Sequence, residues 1–315
     1  MKIEKFEGLV AAPFTPLDDQ GKLKLERIQD YYDLLSDSGV SGAFINGTTG
    51  EGPSLTQKER QDQAEKWAEC YHPGGKVRII NLVGGTSYQE CMDNAIHSFE
   101  SGLSAIAIVG PYYFRPSDEN ELADFCARIA ESVPAMPVYY YHIPAFTGIH
   151  FPMYIFLKKI SEMIPNFAGI KFSHEDLLDF QLCLNFKDRT YDLLWGNDYS
   201  LLSALALGCR GGIGSTYNYA APLYIKLIRE FKAGNLEEAA ILQEMSVRMI
   251  RLLGKYGGVG VGKAFMRYIG FECGKYRSPV KNLSEEIYVE FKKDVAMLNM
   301  DHLFSLPIKK QVHNR

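Results

Sequence analysis

One lysine lies inside an otherwise apolar stretch of the sequence. Lys171 is the only charged residue of the segment 167–173. Because an ammonium group is costly to bury, a lysine in such a place tends to lose its proton. The neutral amine can attack a ketone and form a Schiff base. A structural lysine, paired with a carboxylate in the core, is an equally good interpretation of this position taken alone.

Three consecutive tyrosines occupy a second apolar segment, residues 137–143. In a β-strand, Tyr139 and Tyr141 would point to one face and Tyr140 to the other. A phenol next to an amine-derived cation can transfer protons as a general acid and base, and Tyr141 is our candidate for that role. The alternative is that the three rings are core aromatics, which we favour for Tyr140.

Two turns rich in small residues could bind a polar or anionic group. The segment 47–51 contains Thr48 and Thr49 between glycines, where backbone N–H groups and hydroxyls could hold a carboxylate. A plain strand-to-helix turn explains the same segment. Further along, Gly214 and Ser215 could bind either a phosphate or sugar hydroxyls.

The elements that must position these residues follow a repeating pattern. Short apolar segments alternate with longer amphipathic ones at intervals of roughly 30 residues, the length of one βα unit. We predict strands near residues 8–14, 42–46, 77–83, 105–110, 137–143, 167–173, 191–197 and 211–218. This alternation predicts an α/β fold with a parallel sheet, and eight units favour a (β/α)8 TIM barrel. An open doubly wound sheet is the alternative, but its GxGxxG sequence is absent after the first strand.

Helical patterns separate the predicted strands and continue beyond them. They include residues 23–38, 54–70, 88–101 and 119–131, and then 236–256, 262–269 and 284–298. We expect the barrel to occupy residues 1–234, and residues 235–315 to form a C-terminal helical extension. Because no linker-like composition separates the two, the extension should pack on the barrel within one structural domain, with a frayed tail at 308–315. The candidate residues would then meet at the carboxyl ends of the strands.

Composition excludes several classes of function. The chain has 315 residues and a net charge of −4, which argues against binding to nucleic acid. No apolar run is long enough to span a membrane, and the charged N-terminus is unlike a signal peptide. Six dispersed cysteines and seven dispersed histidines suggest neither disulfides nor a metal site, and we expect a cytoplasmic protein. The GxxxxGK sequence at 257–263 is followed by Ala264, so it is not a nucleotide-binding loop.

Three motifs in combination resemble the dihydrodipicolinate synthase/N-acetylneuraminate lyase superfamily of class I aldolases. They are residues 47–51, Tyr141-x-x-Pro144 and residues 169–171, and the resemblance extends from Phe6 to about Phe304. It implies a homotetrameric (β/α)8 barrel with a helical extension and neither metal nor cofactor. It also implies that Lys171 forms a Schiff base with a pyruvoyl group, that Thr48 and Thr49 hold the carboxylate, and that Tyr141 transfers the proton.

The segments 139–145, 171–173 and 214–218 are most similar to the N-acetylneuraminate lyase branch. That likeness implies cleavage of N-acetylneuraminate, a sialic acid, to pyruvate and N-acetylmannosamine. The substrate-binding residues that it implies are Ser173, Gly196, Asp198, Tyr199 and Ser215, and Tyr113 would reach a neighbouring subunit's site.

Two departures define the alternatives. Phe146 stands where a dihydrodipicolinate synthase would carry an arginine, which lowers the expectation of that activity. Tyr199 stands where sialic-acid lyases usually have a glutamate for the glycerol tail, so the same chemistry on another 2-keto-3-deoxy sugar acid is the main alternative. A non-catalytic, ligand-binding paralogue is a third hypothesis, against which the presence of both Lys171 and Tyr141 argues.

Overall fold

Eight parallel strands close into a barrel in the computed structural model, which describes residues 3–71 and 75–306. Each strand pairs with the next strand along the chain, and the first strand pairs with the last, as the (β/α)8 prediction requires. The strands are β1 (Gly8–Ala11), β2 (Gly42–Ile45), β3 (Arg78–Leu82), β4 (Ala105–Val109), β5 (Val138–His142), β6 (Phe167–Phe172), β7 (Asp192–Trp195) and β8 (Gly211–Gly214).

The predicted strands were all found, but each is shorter in the structure than predicted, and β1 and β8 differ most at their carboxyl ends. β1 ends at Ala11 rather than at residue 14, because Pro13 has no N–H group for the ladder. β8 ends at Gly214 rather than at residue 218. The backbone N–H of Thr216 donates to the Asp198 carboxylate over 2.9 Å instead of to a strand, and a helix begins at Tyr217.

Helices surround the barrel and continue past it. They are α1 (Arg27–Asp37), α2 (Gln57–Cys70), α3 (Tyr88–Glu100), α4 (Glu119–Ala130), α5 (Pro144–Thr147), α6 (Met153–Met163), α7 (Leu177–Asn185), α8 (Leu201–Ala206), α9 (Tyr217–Lys232), α10 (Leu236–Tyr256), α11 (Val261–Tyr268) and α12 (Glu285–Met297). The first helix starts at residue 27 rather than 23, since Leu23 forms an isolated bridge with Leu17. None of the described helices combines the length and the apolar character that crossing a membrane requires.

The strands bury side chains on both of their faces. Tyr139 and Tyr141 belong to an apolar cluster inside the barrel, whereas Tyr140 belongs to the larger layer between strands and helices. The predicted alternation of the three tyrosines is therefore confirmed. Deep in the barrel the Tyr139 hydroxyl donates to the Asp192 carboxylate over 3.0 Å. It is thus Tyr141, two residues further along β5, that reaches the carboxyl end of the barrel.

The helices after residue 234 pack against the barrel's outer layer. The hydroxyls of Ser246 in α10 and Tyr224 in α9 are 2.7 Å apart and both are buried. The predicted tail at 308–315 lies outside the described residues. The division at residue 234 stays a prediction.

Candidate active site

A cavity of about 340 Å³ opens at the carboxyl end of the barrel. It brings together most of the residues that the sequence singles out, namely Thr48, Thr49, Tyr141, Lys171, Gly196, Asp198, Tyr199 and Ser215. Phe146 also lines it, as do residues of the helical extension, Ile250, Leu253, Gly258 and Val259. The cavity therefore has a polar wall made by strand ends and an apolar wall made largely by α10 and the turn after it.

Lys171 is buried at this cavity and lies among aromatic rings. Its Nζ is 4.0 Å from the ring centre of Phe44 and 4.0 Å from that of Tyr141. Burial lowers the pKa of the amine to about 7, and the negative charge of Asp198 opposes this shift. Among residues 3–71 and 75–306, no carboxylate forms an ion pair with this amine within 4.0 Å. The interpretation of Lys171 as one half of a structural ion pair is therefore not supported.

Tyr141 is placed beside Lys171 by the register of the sheet. The two residues are paired in the β5–β6 ladder, so their side chains emerge at the same height. Burial raises the pKa of the Tyr141 phenol to about 12, and hydrogen bonding with the hydroxyls of Thr48 and Ser173 opposes the rise. Ser173 is not part of the cavity lining.

The turn that carries Thr48 and Thr49 is tightly wound. The N–H of Gly52 donates to the carbonyl of Gly47 over 3.1 Å, and a Cβ on Gly52 would lie 1.9 Å from the carbonyl oxygen of Asn46. The Tyr276 hydroxyl donates to the Thr49 carbonyl over 2.8 Å. The C-terminal extension therefore holds this turn in place.

A buried ion pair makes a second link between this turn and the extension. Lys263 Nζ lies 2.9 Å from Glu51 Oε1, and both side chains are 3% exposed. The backbone N–H of Arg277 donates to the other carboxylate oxygen over 2.9 Å. The N-terminus of α2 is capped by Thr56, so the Glu51 carboxylate is not needed there. Lys263 is the lysine of the GxxxxGK sequence, and the structure gives it this structural contact.

Replacing Lys263 with methionine should destabilise the protein by about 3 kcal/mol, because Glu51 would stay buried without a counter-charge. Adding Glu51→Gln should recover much of that loss. Urea denaturation followed by circular dichroism measures both effects. Lys226→Met is the matched control, since it removes a partly exposed ion pair with Glu238 and should change stability by less than ~1 kcal/mol. Equal losses of stability in Lys263→Met and Lys226→Met would contradict the expectation.

Asp198 joins the ends of β7 and β8. Its Oδ2 accepts hydrogen bonds from the backbone N–H of Thr216 over 2.9 Å and from the Thr216 hydroxyl over 2.6 Å. A Cβ on Gly214 would lie 2.0 Å from Asp198 Oδ1, so a glycine is required there. Burial raises the pKa of Asp198, and the hydrogen bonds from Thr216 oppose the shift. The carboxylate is therefore held rigidly at the polar wall.

The structure adds residues that the sequence analysis missed. Gln243 of α10 donates to the Asp198 carbonyl over 3.1 Å. The hydroxyl of Thr216 is hydrogen-bonded to that of Tyr224, which is hydrogen-bonded in turn to that of Ser246. The apolar wall from α10 is also new. The only sequence signal was the amphipathic pattern of residues 236–256, which indicates a packed helix but not the surface that it covers.

Of two further predicted positions, Tyr199 lines the cavity and Tyr113 does not. The Tyr199 hydroxyl donates to Glu175 Oε1 over 2.7 Å, and Tyr199 lines the cavity. Tyr113 lies in the loop after β4, is 77% exposed, and is not among the lining residues. Its contact with a neighbouring subunit stays a prediction.

Comparison with known proteins places the chain in a family. Residues 5–298 match the dihydrodipicolinate synthetase family. The chain belongs to that family. It is 40% identical over 293 residues to the N-acetylneuraminate lyase of Gallus gallus, covering 92% of this chain and 95% of the relative. It is 38% identical over 290 residues to that of Homo sapiens, covering 90% and 89%.

Solved members of the family share the architecture. The N-acetylneuraminate lyase of Proteus mirabilis superposes with a TM-score of 0.90 at 35% identity, covering 94% of this chain and 99% of that chain. The resemblance inferred from the three motifs and the (β/α)8 barrel are both confirmed.

Proposed function

We propose that the protein is a carbon–carbon lyase, a class I aldolase that reversibly cleaves N-acetylneuraminate to pyruvate and N-acetylmannosamine. The observation that carries the proposal is the buried amine of Lys171 beside the Tyr141 phenol, at the end of a barrel where such enzymes place their chemistry. The N-acetylneuraminate lyases that are 35–40% identical to the chain support the choice of substrate.

The reaction begins with the neutral amine of Lys171. It attacks the C2 ketone of the open-chain sugar acid to give a carbinolamine, which loses its hydroxyl as water by taking the proton of the Tyr141 phenol. An iminium ion is left beside a phenolate. The C3–C4 bond then breaks, and its electron pair moves into the iminium to form an enamine. The proton of the C4 hydroxyl goes to Tyr141, so the C4 side leaves as an aldehyde. Protonation of the enamine at C3 and hydrolysis release pyruvate and restore the amine.

The surroundings of Tyr141 suit a proton carrier. A phenol with a pKa of about 12 is protonated in the free protein. A positive iminium formed 4.0 Å from its ring would lower that pKa, which lets the group accept and return a proton during one turnover. The hydroxyls of Thr48 and Ser173 are placed to stabilise the phenol in either state.

The remaining predicted residues would bind the substrate. Thr48 and Thr49 would hold the pyruvoyl carboxylate, and Gly196, Asp198 and Ser215 would contact the sugar hydroxyls. Tyr113 would complete the site of a neighbouring subunit in a homotetramer. The six cysteines are free and buried, which supports a cytoplasmic, reducing location.

The test is incubation of the purified protein with N-acetylneuraminate, followed by chromatography of the products. We expect pyruvate and N-acetylmannosamine in equal amounts. Comparison of kcat/KM with a six-carbon 2-keto-3-deoxy acid tests the alternative substrate class, and a large preference for the shorter acid would contradict the proposal. Dihydrodipicolinate synthase activity is not favoured, because Phe146 lines the cavity where that reaction would need an arginine.

The pKa of Lys171 predicts how Schiff-base formation depends on pH. The neutral fraction of an amine with a pKa of about 7 is nearly complete at pH 8 and falls to roughly 1% at pH 5. Trapping of pyruvate with cyanoborohydride, followed by mass spectrometry, should therefore slow by about 100-fold between those values and level off above pH 8. A rate that keeps rising to pH 10 would indicate a lysine with an ordinary pKa.

A further inference from the structure

A chain of hydrogen-bonded side chains leads from α10, in the helical extension, to the polar wall of the cavity. Asp198 Oδ2 accepts a hydrogen bond from the Thr216 hydroxyl over 2.6 Å, and the hydroxyl oxygens of Thr216 and Tyr224 are 2.8 Å apart. The Tyr224 hydroxyl, in α9, lies 2.7 Å from that of Ser246 in α10. All of these side chains are buried, but Asp198 and Thr216 line the cavity whereas Tyr224 and Ser246 do not. The two helices therefore reach the site through Thr216.

The hydrogen bonds of this chain all run toward Asp198. Each hydroxyl has one hydrogen to donate, whereas an ionised carboxylate only accepts. Because the Thr216 hydroxyl donates to Asp198, its oxygen must accept from Tyr224. The Tyr224 oxygen must then accept from Ser246. Burial and the negative charge of Asp198 raise the pKa of the Tyr224 phenol, so this phenol keeps its proton and can donate. Hydrogen bonds aligned in this way strengthen one another in a buried site.

This alignment decides which oxygen of Asp198 is left for a ligand. Oδ2 accepts both the backbone N–H and the hydroxyl of Thr216. In the part of the chain that the structure describes, no other residue donates to Oδ1, which lies next to the lining residue Gly214. The Gln243 side chain of α10 donates separately to the Asp198 carbonyl. Residues of α10 therefore hold both the backbone and the side chain of Asp198.

The need to pair buried hydroxyls does not by itself explain the chain. Tyr217 and Tyr219 also belong to α9 and are as buried as Tyr224. Neither of their hydroxyls has a hydrogen-bond partner among the described residues. This part of the core thus accommodates phenols without a partner, and Tyr224 differs from the other two in being linked to a residue of the cavity.

We propose that Tyr224 and Ser246 are positioning residues that act through Thr216 to hold the Asp198 carboxylate in the orientation that binds substrate. The inference rests on the proposed function, in which Asp198 contacts the sugar. It gives α10 a second task, because the helix that supplies the apolar wall also fixes a charged group of the polar wall. Since Tyr224 and Ser246 do not line the cavity, we expect their loss to weaken sugar binding and to leave Schiff-base formation intact.

The first test is Tyr224→Phe, which removes one hydroxyl and keeps the buried ring. The loss of this donor should loosen the Asp198 side chain and raise KM for N-acetylneuraminate about three- to tenfold, with kcat within about twofold. Ser246→Ala lies one step further from Asp198 and should have a smaller effect in the same direction. Trapping of pyruvate by borohydride reduction should change by less than about twofold in both variants, because pyruvate carries no sugar hydroxyls.

Tyr217→Phe is the matched control. It removes a hydroxyl from the same helix and from an equally buried ring, but one without a partner among the described residues. KM for N-acetylneuraminate should therefore stay within about twofold of the value for the unaltered protein. A KM that changes equally in Tyr224→Phe and Tyr217→Phe, or in neither, would overturn the inference.

A double variant tests whether Tyr224 acts through Asp198. In Asp198→Ala the Tyr224 hydroxyl has no carboxylate left to orient, so adding Tyr224→Phe should lower kcat/KM by less than about twofold more. Fully additive losses would show that Tyr224 acts by another route, and a loss of pyruvate trapping as large as the rise in KM would show general damage. Either result would overturn the inference. Ser246→Ala takes the place of Tyr224→Phe in this comparison if the latter does not fold.

The proposed function and this inference fail in different experiments. The proposed function is judged on the unaltered protein, by its release of pyruvate from N-acetylneuraminate. The inference is judged on the ratio between each variant and the unaltered protein, measured with whichever 2-keto-3-deoxy sugar acid the protein cleaves.

Discussion

Lys171→Met is expected to lower pyruvate release from N-acetylneuraminate by about 10⁴-fold or more, because the nucleophile is removed and no other group can take its place. The Lys171 amine lies in the cavity beside Tyr141. Lys263 is also buried, but its amine is paired with the Glu51 carboxylate. Incubation with pyruvate and borohydride should add a reduced pyruvoyl group to the unaltered protein at residue 171. The variant should show no such mass increase.

The same substitution should make the protein more stable. Lys171 is buried, and its pKa falls from an ordinary value of 10.5 to about 7, which corresponds to roughly 5 kcal/mol of destabilisation for the charged form. This penalty is full below pH 7 and disappears as the pH rises to 10.5, where the amine is neutral in the unfolded chain as well. The advantage of methionine in urea denaturation should therefore be larger at pH 6 than at pH 10.

The control separates this lysine from surface amines. Lys226→Met removes a lysine that is 35% exposed and far from the proposed chemistry, so it should keep both the pyruvate adduct and the activity. A pyruvate adduct that persists in Lys171→Met would contradict the assignment of the nucleophile. A variant that is less stable at pH 6 than the unaltered protein would contradict the account of its pKa.

Tyr141→Phe should lower kcat for N-acetylneuraminate cleavage by about 10²–10⁴-fold, the usual contribution of a general acid–base group. The ring and its packing against Phe44 would remain, since only the hydroxyl is lost. Lys171 would still be buried, and pyruvate should still be trapped on it by borohydride. The expected result is therefore loss of bond cleavage with retention of the Schiff base.

Tyr140→Phe is the matched control for this substitution. Tyr140 is the preceding residue of the same strand, is equally buried, and points into the layer between strands and helices. Removing the Tyr140 hydroxyl should leave kcat within about twofold of the value for the unaltered protein. If the two phenylalanine variants had the same kcat, the proton would have to move through another group or through water.

The sequence was sufficient to predict which strand residues face into the barrel and which face the surrounding helices. The alternation of Tyr139, Tyr140 and Tyr141 follows from the geometry of an extended chain, which is a local property. The repeat of strands and helices likewise implied a closed parallel barrel, whose strand ends meet at one rim. Lys171 and Tyr141 could therefore be placed together before their distance was known.

The ends of the strands were predicted less well, because they depend on contacts between distant segments. β8 stops where Asp198, 18 residues earlier than Thr216, captures the backbone N–H of Thr216. The pairing of Glu51 with Lys263 joins residues 212 positions apart. Nothing in the local sequence around either partner indicates the other.

The sequence by itself determined the number of strands, their parallel order and the chemical type of the groups at the rim. These features depend on the period of apolar residues and on individual side chains. Only the tertiary structure decided that Lys171 lacks a carboxylate partner within the described residues and that Tyr199 is paired with Glu175. The reason is physical: the protonation and hydrogen bonding of a side chain depend on solvent exclusion and on neighbours that other loops bring to it.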